Sequence, residues 1–112
     1  MKLQKVLLAW LTTLVFSSTA MAHSNHAHQA TIDQTQAETA SAILIHNLVG
    51  QEKLAASWSD STVAKTTQQS TPQGKVWVIE YTNSSIADKR MQTLYVVLDE
   101  LGNPVSATYE KP

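Results

Sequence analysis

The sequence predicts an α+β fold in which one N-terminal helix packs on a three- to four-stranded antiparallel sheet. Three observations point there. Ala37, Ala40, Ser41, Leu44 and Leu48 recur at the spacing of one helix face. From Lys75 to Tyr109 the apolar residues switch to a period of two, the alternation of strands. Asp99-Glu100-Leu101-Gly102 has the chemistry of a type I turn closed by a glycine in the left-handed region, a common tight hairpin.

The first part of the 112-residue chain reads as a leader rather than as structure. Lys2 and Lys5 form a positive start, and Val6 to Phe16 is apolar apart from Thr12 and Thr13. Ala20-Met21-Ala22 then matches the small-x-small site of signal peptidase, so residues 1–22 read as a signal peptide cleaved after Ala22. The apolar run is about half the roughly 20 residues a membrane-spanning helix needs. With no cysteine in the chain a lipid-anchored start is excluded, and the exported protein is expected to be periplasmic, without a stable membrane anchor. Loss of Lys2 and Lys5 takes the formal charge from −1 to −3, which argues against nucleic acid as a partner, because phosphate binding needs a basic surface. The remaining chain of about 90 residues suffices for one small domain, expected over 31–112 and held by packing alone.

Residues 23–30, HSNHAHQA, lack periodicity and read as a disordered tail. Helix signals follow. Asp33 is placed to be the N-cap with Gln36 completing a capping box, and Ile32 and Ala37 are placed for a hydrophobic staple. Ile45 flanks the apolar stripe, Ile43 lies further round, and Gly50 is expected to end the helix in the left-handed conformation. Between Gln51 and Gln73 the pattern is weak. Leu54 and Trp58 read as anchors to the core, Ser59 to Ser61 as a turn, Ala64 to Ser70 as a polar edge strand, and Ser70 to Gly74 as a loop. In the strands that follow, Trp77, Ile79 and Tyr81 alternate with Val76, Val78 and Glu80, and Leu94, Val96 and Leu98 alternate with Thr93, Tyr95 and Val97. Val105, Ala107 and Tyr109 are expected to share one face of the last strand, and Asn83 to Arg90 to form a longer polar loop.

Ile32-Asp33-x-x-x-Ala37-x-x-Ala40, followed by Trp77–Tyr81 and LYVVLDELGNPVSATY, resembles the PepSY-type domain of exported bacterial proteins. That resemblance implies a helix before an antiparallel sheet ending in a Val-Asp-x-x-x-Gly turn. Here Val97-Leu98-Asp99-Glu100-Leu101-Gly102 departs from it by one added residue, Leu98. The chain also resembles a small family of exported bacterial proteins with a His-containing start and a Lys-Leu-x-x-Ser-Trp segment, here Lys53 to Trp58. PepSY-type domains have been proposed to restrain peptidases, and the family has no shared catalytic residues to carry over.

Chemistry is concentrated in His23, His26 and His28. After cleavage His23 offers its free α-amine beside its own imidazole, and such nitrogen ligands suit Cu(II), Zn(II) or Ni(II). A Cu(II) or Zn(II) accessory role is therefore one reading, set against that of a His-rich soluble leader. A rigid copper enzyme site built on His23 is disfavoured, because a mobile tail does not hold ligands in place. His46 falls opposite the helix stripe and reads as exposed. No nucleophile-elbow pattern accompanies any serine, thiol catalysis is ruled out, and Asp99-Glu100 is explained by a turn. Trp58 and Trp77 read as core. Tyr95 lies opposite Leu94 and Leu98, so a helix on the leucine face leaves Tyr95 on an open side, where a periplasmic or envelope protein can dock. The expectation is a non-catalytic exported binding or regulatory module, with metal binding as the alternative.

Overall fold

The computed structural model describes residues 30–112. The expected leader, its cleavage site and the His-containing start up to Gln29 lie outside the described residues. Within them the chain forms a helix α1 (Gln34–Gly50) and four strands, β1 (Thr62–Thr71), β2 (Gly74–Thr82), β3 (Thr93–Asp99) and β4 (Pro104–Thr108). The strands make one antiparallel sheet in the order β1-β2-β3-β4, and α1 packs against one face.

Capping begins α1 as the sequence suggests. The Asp33 carboxylate accepts from the Gln36 N–H at 2.8 Å, and the Asp33 N–H donates to the Gln36 side chain at 2.9 Å, which satisfies two otherwise orphaned donors. Ile32, just before the cap, donates its N–H to the Glu100 carbonyl at 2.9 Å, so the entry to the helix is tied to the β3–β4 turn. That turn needs Gly102 twice over. Its φ is +92°, and a Cβ there would lie 3.2 Å from Ile32 Cδ1.

The helix does not end as expected. Gly50 is the last helical residue, and Glu52 takes the left-handed conformation at φ +62°. Glu52 N–H bonds the Val49 carbonyl and Lys53 N–H bonds the Leu48 carbonyl, the paired reverse bonds of a Schellman ending. This later turn sends Leu54 into the core, followed by a 3₁₀ turn over Ala56–Asp60 that buries Trp58. Both anchors are where the sequence placed them, while the Ser59–Ser61 turn forms largely as the end of that 3₁₀ segment.

Ala37, Leu44, Ile45 and Leu48 from α1 meet Ile79, Tyr81, Leu94, Val96, Leu98 and Ala107 from the sheet. Each large apolar side chain fully buried here contributes about 1.5–3 kcal/mol, the main term favouring the fold. Ile43 points outward and is 57% exposed. Small residues at 37 and 41 let the helix approach closely. Ser41 Oγ donates to the Glu38 carbonyl at 2.9 Å and lies 2.5 Å from the Tyr81 hydroxyl. With the Ser41 proton committed to Glu38, Tyr81 is the donor of that second bond.

Three strand expectations are refined. The polar edge strand exists and is longer, because Ser70 and Thr71 stay paired with Lys75 and Gly74. Only Pro72 and Gln73 are left to turn, helped by Gly74 at φ +125° and by Thr71 Oγ1, which accepts from Gln73 N–H and donates to the Gly74 carbonyl. Between β2 and β3 the polar loop runs on to Gln92 and contains a 3₁₀ turn, Lys89–Met91, capped by Asp88. In β4 Val105 does not share the face of Ala107. Leu98 pairs with Pro104 and Val97 with Ser106, so Val105 is the extra residue of a bulge and is left exposed.

Candidate functional site

With α1 covering the face of Ile79, Leu94, Val96 and Leu98, the opposite face is assembled in rows by strand register. Lys65, Glu80, Tyr95 and Thr108 are successive cross-strand partners, and Thr67, Val78, Val97 and Ser106 form the next row. Side chains directly opposite one another stand about 4.5–5.5 Å apart at Cβ, so each row is a continuous strip. Val78 and Val97 are buried and supply an apolar floor, while Tyr95 and Glu80 are half-buried at their side.

A groove of about 200 Å³ opens on this face. Its walls are Lys65, Thr67 and Gln69 from β1, Val78 and Glu80 from β2, Tyr95 from β3, and Lys111 and Pro112 from the segment after β4. Two ammonium groups, one carboxylate, a phenol, hydroxyl and amide groups and a valine floor thus converge. Such a mixture offers donors and acceptors beside an aromatic ring, which suits the polar backbone and mixed side chains of a polypeptide.

Of the residues singled out by sequence, Tyr95 lies in this groove. His23, His26 and His28 lie outside the described residues. His46 is exposed on α1. The groove members Lys65, Thr67, Gln69, Glu80, Lys111 and Pro112 were missed. The alternation of Lys65, Thr67 and Gln69 was a visible signal, but its meaning depends on the β1–β2 register.

Other candidate chemistry is committed to structure. The Asp99 carboxylate accepts from the N–H groups of Leu101 and Asn103, both at 2.9 Å, and from Asn103 Nδ2 at 3.2 Å, so it organises the β3–β4 turn. Asn83 is buried and holds the β2–β3 loop, accepting from Ser85 N–H and donating to Ser57 Oγ. Burial raises the Tyr81 hydroxyl above its ordinary pKa. Tyr109 is raised by burial as well, its ring 6.4 Å from that of Trp58. No cluster of three metal-ligating side chains occurs among the described residues, and no described helix is long and apolar enough to cross a membrane.

Over residues 1–112 the chain matches a family described as a family of unknown function, DUF6488, and it belongs to that family. No curated protein and no solved structure matches it.

Proposed function

We propose that this member of DUF6488 is a non-catalytic, exported binding module of PepSY-like type, whose docking surface is the sheet face that α1 leaves uncovered. One observation carries the reading. The groove around Tyr95 brings an aromatic ring, both signs of charge and an apolar floor to the side of the sheet opposite the helix. The order of elements, a helix followed by an antiparallel sheet with an Asp99–Gly102 turn, agrees with the PepSY resemblance. Export is inferred from the leader-like residues 1–22, and the partner is accordingly a periplasmic or envelope polypeptide.

The test is recovery of envelope proteins on the immobilised protein and on Tyr95→Ala. Docking at this face implies at least one protein whose recovery falls about tenfold with the substitution, the effect of losing roughly 1.4 kcal/mol at an aromatic anchor. Equal recovery of every protein sinks the reading.

A second reading rests on a separate observation, the three imidazoles of His23, His26 and His28 within six residues. These would ligate Cu(II) or Zn(II) with nitrogen donors, the free amine of His23 adding a fourth. Titration with each metal, beside a variant lacking His23 to His28, decides it. Binding should weaken as the pH falls below about 6.5, because imidazoles must be neutral to ligate. Identical isotherms for the two proteins rule this reading out.

A further inference from the structure

The carboxylates around the entry to α1 differ in how far they are committed. Asp33 caps the helix, Glu38 accepts from Thr66 and Gln34, and Asp99 holds Leu101 and Asn103. Glu100 is the exception. Its side chain is partly buried, yet among the described residues its carboxylate accepts no hydrogen bond and makes no ion pair. Its Oε2 lies 3.6 Å from where a Cβ on Gly74 would stand, which sets the carboxylate beside the β1–β2 turn.

The same residue holds the incoming chain, because the Glu100 carbonyl accepts the Ile32 N–H at 2.9 Å. His28 precedes Ile32 by four residues and His26 by six. At about 3.3–3.6 Å per extended residue, the tether from Ile32 reaches about 13–14 Å to His28 and about 20–22 Å to His26. Both lengths are ample to return an imidazole to a carboxylate on the residue that anchors the tether.

We propose that Glu100 completes a Zn(II) site with His23, His26 and His28, its carboxylate taking the fourth place. This rests on the reading of those three imidazoles as ligands, and adds the group that couples the metal to the fold. Zn(II) is four-coordinate and takes imidazole nitrogen and carboxylate oxygen alike. The competing fourth donor, the His23 α-amine, is mostly protonated at pH 7, since its ordinary pKa is about 7.7–8.0. A carboxylate also sets a negative charge against the dication, which a neutral amine does not.

The consequence is thermodynamic. A site made of residues 23–28 alone binds folded and unfolded chains equally, and only a ligand that prefers the folded state stabilises it. With Glu100 as a ligand, the four donors meet where the β3–β4 turn holds Ile32, so metal binding stabilises the domain.

The experiment pairs calorimetric titration with Zn(II) and thermal unfolding with and without saturating Zn(II). It uses exported protein expressed from the complete coding sequence, as wild type, Glu100→Gln and the variant lacking His23 to His28. Gln keeps the shape of the side chain and the carbonyl that holds Ile32, and the metal-free midpoint checks the fold. The wild type is expected to bind Zn(II) about tenfold more tightly than Glu100→Gln, with its midpoint raised by roughly 6–11 °C. Glu100→Gln is expected to bind through its imidazoles without that rise. A wild type that binds Zn(II) with an unmoved midpoint overturns the proposal, as does an equal rise in Glu100→Gln. Identical isotherms for the wild type and the variant lacking His23 to His28 instead remove the metal reading itself, and this proposal with it.

Discussion

Ser41 carries more than its size suggests. It is fully buried on α1, spends its proton on the Glu38 carbonyl and receives the Tyr81 hydroxyl of β2. Ser41→Ala leaves that hydroxyl without a partner in the core, so stability should fall by about 1–3 kcal/mol in urea denaturation. Tyr81→Phe in the same background should cost little more, and simple additivity of the two changes would contradict the bond. Glu38 is the second tie between helix and sheet. Thr66 Oγ1 on β1 donates to its carboxylate at 2.7 Å, and this bond, then that from Gln34, lowers the Glu38 pKa against a small opposing effect of burial. A lowered folded-state pKa gives stability that is present above the unfolded value and lost as pH falls through the folded one. Thr66→Val should therefore raise the Glu38 pKa toward the ordinary carboxylate range and reduce the acid-side pH dependence, as carboxyl NMR titration would reveal. At this scale local pairs were legible and distant ones were not. Asp33 and Gln36 are three residues apart and announce their own bond, whereas the partner of Ser41 lies forty residues away and appears only when the strands are in register.

Among the elements, the end of α1 separates expectation from structure. A glycine near a helix end is most often the left-handed residue, which is the expectation for Gly50. The chain instead continues until Glu52 turns it, because that placement brings Leu54 into the core. Two substitutions follow. Gly50 has ordinary helical geometry and open space where a Cβ would go, so Gly50→Ala should stabilise by about 1 kcal/mol. Glu52→Gly should relieve about 1 kcal/mol of left-handed strain. Either gain corresponds to a rise of about 4–8 °C in the unfolding midpoint for a domain this small. A fall with Glu52→Gly would argue against the left-handed turn. The strands were legible where alternation was apolar, as in β2 and β3. The ends of β1 were not, since Thr and Gln suit a strand or a loop equally and pairing with β2 decides. The bulge at Val105 was hidden for a related reason, because one inserted residue leaves the local pattern intact while moving Val105 off the core face.

For the molecule as a whole, the fold class followed from hydrophobic period, a signal spread over many residues and robust to local error. The groove did not. Its walls come from β1, β2, β3 and the segment after β4, and their meeting is a property of sheet register. Tyr95 was found because sidedness alone places it opposite Leu94 and Leu98. The central claim is that α1 seals one face for stability and leaves the other for a partner. Recovery of envelope proteins by the wild type and by Tyr95→Ala, with the unfolding midpoint of each preparation, tests it most directly. The expected result is a midpoint lowered by no more than about 2–8 °C, the equivalent of about 0.5–1 kcal/mol, with at least one recovered protein reduced about tenfold. Equal recovery from a folded Tyr95→Ala protein would contradict a docking role for that face.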